Sequence, residues 1–117
     1  QGRWRSFMQL AEFGKYGRWG EGVETFEYAK DAQGRWRIAK MHFYRSFHTP
    51  YEESWATSVS TKGGPLKDCP ADRPPSVDYD PWPGVYIPPF HYPNPITGRA
   101  WEPVAPVRAG VATEPAR

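Results

Sequence analysis

His42 is the side chain best suited to proton transfer in this sequence. An imidazole titrates near neutrality and serves as general acid or base. Strand alternation through Trp36-Arg-Ile-Ala-Lys-Met-His-Phe-Tyr44 sets it on one face with Tyr44. A phenol there can donate a hydrogen bond to a substrate oxygen. Glu24 shares a face with Phe26 and Tyr28, and a carboxylate among aromatic rings has a raised pKa and can shuttle protons. Glu12, at the end of a face made of Trp4, Met8 and Leu10, has the same standing. Each has a plainer reading beside it, as an ordinary strand residue or a strand-end charge. Met8, Leu10, Phe26, Tyr28, Trp36 and Ile38 are candidates to line an apolar substrate cavity. Packing in a core is the plainer role for the same residues.

Several chemistries find no support. His42, His48 and His91 have no zinc or facial-triad spacing, so no metal is expected. Phosphate-binding and nucleotide-binding glycine motifs and the nucleophile elbow are missing, so no cofactor is expected either. Arginines interleave with Trp and Tyr, a pattern that can hold single-stranded nucleic acid. Yet 15 basic residues face 13 acidic ones, for a net charge of +2, and no nucleic-acid partner is expected. One cysteine, Cys69, rules out an intrachain disulfide and fits a reducing, cytoplasmic compartment. No apolar run is long enough for a membrane-spanning helix.

The candidate residues must be positioned by strands. Of the 14 prolines only Pro50 lies in residues 1–60; the others fall between Pro65 and Pro115. Proline removes a ladder donor and blocks helix interiors. Residues 1–60 therefore read as a β-meander and 61–117 as an extended arm. The meander reads as strands over about 3–15, 23–30 and 35–47, with a glycine-punctuated loop over 14–22. Asp31-Ala-Gln-Gly34 matches type I turn chemistry. A β-bulge near Ala39-Lys40 would change the side that His42 faces. Gly-Arg-Trp recurs at Gly2, Gly17 and Gly34, read as a turn glycine before a strand-opening pair. Thr49 to Ser60 reads as an irregular exit, with a short helical turn around Tyr51 to Trp55. Tyr79, Trp82, Tyr86, Phe90, Tyr92 and Trp101 would anchor the arm on its own or a neighbouring subunit. The last residues, from Ala105, read as loose.

Strands of this length would be roughly 30–40 Å long and strongly curled. A bare three-stranded sheet needs a cover for its apolar face. No amphipathic helical segment follows. The expectation is that another segment or another chain supplies the cover.

Several stretches resemble a known family. Gly34-Arg-Trp-Arg-Ile-Ala-Lys-Met-His-Phe-Tyr-Arg-Ser-Phe47, continued by Tyr51-Glu-Glu-Ser-Trp-Ala56, resembles the last strand of SnoaL-like proteins of the nuclear-transport-factor-2 superfamily. Val23-Glu-Thr-Phe-Glu-Tyr28 fits the preceding hairpin. Asp72-Arg-Pro-Pro-Ser76 and Ile87-Pro-Pro-Phe-His-Tyr-Pro-Asn-Pro-Ile-Thr-Gly98 resemble extensions on a bacterial branch. The resemblance implies an α+β cone, a curved antiparallel sheet over helices, of which this chain supplies the later strands. It implies a cofactor-independent lyase, a dehydratase or C–C cleaving enzyme. The substrate would be a small aromatic or polyketide-like molecule, with His42 and then Tyr44 as acid-base residues. It also implies a missing N-terminal half or partner chain, and a homo-oligomer. The alternative is a non-catalytic ligand-binding or protein-assembly module. A third reading is an all-β interaction domain whose arm is a polyproline ligand.

Overall fold

A computed structural model describes residues 1–58, 60, 67–108 and 110. Three strands form one antiparallel sheet in the order β1-β2-β3: β1 (Gly2–Glu12), β2 (Tyr16–Lys30) and β3 (Trp36–Pro50). The α+β cone is thereby corrected. The described residues hold no helix, and the architecture is all-β. From Pro65 onward proline recurs too often for a long helix to form.

The two turns follow from local chemistry. Gly14 carries a φ of 72° between β1 and β2, where Lys15 N–H donates to the Glu12 carbonyl at 3.0 Å. Between β2 and β3 the Asp31 carboxylate accepts bonds from the Gln33 and Arg35 amides and from the Nε–H groups of Arg35 and Arg37. The main chain closes the same turn with Gly34 N–H on the Asp31 carbonyl at 2.9 Å. These bonds hold the Asp31 pKa below the ordinary carboxylate value, the Arg35 amide having the largest effect.

Residues 16–22, expected as loop, are strand. Glycine is tolerated there because neighbours occupy the missing side-chain volume. A Cβ on Gly22 would lie 2.5 Å from the Phe43 ring and 2.5 Å from the Tyr44 carbonyl oxygen. On Gly20 it would lie 3.2 Å from the His48 ring.

Two register shifts interrupt the β2–β3 ladder. Glu27 pairs Lys40 and Tyr28 pairs Ile38, which leaves Ala39 as an extra residue; Glu21 pairs Phe47 and Gly22 pairs Arg45, which leaves Ser46 extra. The Ser46 bulge has a use. Its carbonyl accepts the Trp82 amide at 2.7 Å, while Ser60 donates its amide to the Trp82 carbonyl and accepts the His48 amide on its hydroxyl. The arm thus caps the outer edge of β3, which would otherwise offer open ladder groups.

Beyond that edge the arm crosses one face of the sheet. A chain of rings links the two: Phe7 to Trp19, Trp19 to Phe47, Phe47 to Trp55, and Trp55 to Trp82 at 5.4 Å. Such pairs add about 0.5–1.5 kcal/mol each beyond area burial. Val23 and Phe47 are buried beneath this cover. The arm is pinned to itself by Val85 and Val107, which exchange two backbone bonds of 2.8 Å. The expected looseness from Ala105 therefore fails at Val107, and residues 109 and 111–117 lie outside the described residues.

The opposite face is open among the described residues. Trp4, Leu10, Trp36, Ile38 and Met41 on it are all at least half exposed.

Candidate functional site

The Ala39 bulge decides which candidates meet. Cross-strand partners share a face. His42 pairs Thr25, which pairs Arg3, and Tyr44 pairs Val23, which pairs Arg5. All six stand on the arm-covered face. Glu24 pairs Trp4 and Phe43, Phe26 pairs Gly2 and Met41, and Tyr28 pairs Ile38. Those residues, with Met8, Leu10 and Trp36, stand on the open face. The structure therefore unites the expected cavity-lining residues with one another and with Glu24. It separates them from His42 and Tyr44. Alternation alone set Trp36 and Ile38 beside His42; the extra residue at Ala39 breaks that parity.

His42 and Tyr44 remain together. Their rings stack at 4.0 Å with 24° between planes. Burial, and then the charge of Lys40, lowers the His42 pKa from its ordinary value of 6.5. The imidazole is therefore neutral at pH 7 and has a free lone pair to accept a proton. Tyr44 is pushed up, chiefly by burial and by Tyr86, against an opposing effect of Arg3. Tyr79 and Tyr86 come from the arm, stacked on each other at 4.7 Å and 6.4 and 5.8 Å from Tyr44. Burial likewise raises Tyr79. His42 lines two small clefts, of about 180 and 250 Å³.

A larger cleft, of about 440 Å³, lies further along the same face, bounded by the sheet and the arm. Its rings are Phe47, Trp55, Trp82, Tyr86 and Phe90. Its charged groups are the guanidinium groups of Arg3, Arg5 and Arg45 and the carboxylates of Glu21 and Asp80. Arg5 pairs with Glu21, and Asp80 lies 3.7 Å from Arg108. Arg3 holds the rim in place: it donates to the Pro89 carbonyl at 2.8 Å and sits 4.0 Å from the centre of the Phe90 ring. Neither His42 nor Glu24 lines this cleft. Sequence reasoning named Trp82, Tyr86 and Phe90 only as arm anchors. Arg5, Glu21, Phe47 and Trp55 it did not connect, because no local pattern reports a contact made across the chain.

No cluster of histidine, cysteine, aspartate and glutamate among the described residues is arranged to hold a metal. Nor is any helix of the described residues long and apolar enough to cross a membrane. Comparison with protein-family models, curated proteins and solved structures finds no match to this chain.

Proposed function

We propose that this chain is a ligand-binding module that takes a small aromatic acid into the cleft between sheet and arm. The cleft carries the reading. Its volume of about 440 Å³ falls within the range of small-molecule sites. Its five rings offer stacking surfaces, and three guanidinium groups against two carboxylates leave a positive surplus for an anionic substituent. A planar ring would lie against Trp55 and Trp82, with its carboxylate towards Arg5. Binding needs none of Glu24, Met8, Leu10, Phe26, Tyr28, Trp36 and Ile38.

The reading fits a cytoplasmic protein, for which the free, exposed thiol of Cys69 is the support. Quenching of tryptophan fluorescence by 2-naphthoate tests it. Saturable quenching that weakens at least tenfold in Trp82→Ala supports the cleft, and equal quenching by cyclohexanecarboxylate counts against an aromatic site.

Proton-transfer catalysis of the lyase type is a second reading, favoured by one observation. A neutral imidazole stacks on Tyr44 and lines two clefts. Under it, His42→Gln abolishes turnover of a bound aromatic acid and leaves its affinity unchanged. Under the binding reading there is no turnover to lose.

A further inference from the structure

We propose that the open sheet face packs against the same face of a second copy of this chain, with Glu24 of each copy set against Arg18 of the other. This is independent of the ligand reading, which concerns the other face.

The open face is apolar and broad. Trp4, Leu10, Trp36, Ile38 and Met41 are exposed on it. Strands of 11 and 15 residues, at ~3.3 Å per residue and ~4.8 Å between strands, give a footprint on the order of 700 Å². A specific interface takes about 800 Å² from each partner. Two such faces pack as stacked sheets ~10 Å apart.

The charges say what the cover is. Glu24 sits in the middle strand, in a cross-strand row between Trp4 and Phe43. Its carboxylate makes no hydrogen bond or ion pair with the described residues. A wholly apolar cover would bury it unpaired at a large cost. The cover must therefore bring a cation to that point. Arg18 is on the same strand and the same face, opposite Leu10 and Pro50. Its guanidinium lies 5.9 Å from the centre of the Tyr16 ring and meets no carboxylate of the described residues.

Glu24 and Arg18 stand equally far on either side of Glu21. A two-fold axis in the interface plane, crossing β2 at Glu21, therefore sets each Glu24 opposite an Arg18 of the other copy, twice per dimer. This reciprocity is what an isologous interface requires. The remaining cation of β2 on this face, Lys30, is held over the Trp36 ring at 5.3 Å, away from the centre.

Charge reversal tests the pairing. Sedimentation velocity of the full chain over a range of concentrations should show a monomer–dimer equilibrium. Glu24→Arg and Arg18→Glu should each weaken it at least roughly tenfold. Mixing the two variants should restore association, because both contacts of the mixed dimer then join opposite charges. The double variant should self-associate like the wild type. The mixture also controls for folding, since a variant that had lost its fold could not be rescued. A wild-type chain that stays monomeric overturns the proposal. So do single reversals that leave association unchanged, a mixture that fails to associate, or assembly only with a different protein.

Discussion

His42 and Ile38 project from opposite faces of the sheet, although an even number of positions separates them in β3. Ala39 is the reason: it stands between Lys40, paired with Glu27, and Ile38, paired with Tyr28, and has no partner of its own. One extra residue therefore separates the candidate acid-base residue from Trp36 and Ile38, the two apolar side chains of its own strand expected beside it.

Deleting Ala39 should leave the fold intact. The flanking pairs would then become neighbours in an uninterrupted ladder, and every side chain would keep its face. Stability measured by urea unfolding should change by about 1 kcal/mol or less. Deleting Met41 instead should cost more than deleting Ala39, because closing the bulge then sets Lys40 on the open face in place of Met41 and breaks its ion pair with Glu27. Equal tolerance of both deletions would show that β3 is not in this register.

Gly22→Ala should destabilise by about 1–3 kcal/mol in the same assay. The added methyl meets the Phe43 ring and the Tyr44 carbonyl, both 2.5 Å away. Adding Phe43→Ala removes only the first contact, so the pair should not recover wild-type stability. A neutral Gly22→Ala would place Phe43 elsewhere.

Acid should weaken the fold in two steps. His42 and His48 are both held below their ordinary value of 6.5, chiefly by burial and then by nearby cations. The unfolded chain takes up these protons first. Their contribution is therefore whole above pH 6.5 and is lost as pH falls below it. Asp31 is held below 3.8, so its contribution is present above that pH and lost as pH falls further. Stability against pH for His42→Gln should show a smaller first step and an unchanged second one. An NMR titration of His42 at or above 6.5 would contradict the burial under the arm.

The sequence announced what local chemistry decides. Asp31 and Gly34 mark their turn, proline density marks the arm, and a bulge near Ala39-Lys40 was foreseeable as an option. Gly20 and Gly22 misled, because glycine reads as loop unless the rings of His48 and Phe43 that fill its space are known. The cone misled as well. It came from resemblance, whereas the cover actually found on the sheet is the arm. The cleft was illegible because Phe47, Trp55, Trp82 and Phe90 meet only after the arm folds back, and no spacing encodes that.

The most direct test of the ligand site is a titration of the chain with 2-naphthoate, followed through the indole N–H resonances in a ¹H–¹⁵N spectrum. Tryptophans mark both faces: Trp55 and Trp82 line the cleft, and Trp4 and Trp36 stand on the open face. Saturable shifts are expected at Trp55 and Trp82, with Trp4 and Trp36 unmoved. Shifts confined to Trp4 and Trp36 would put the aromatic ligand on the wrong side of the sheet and contradict the proposed site.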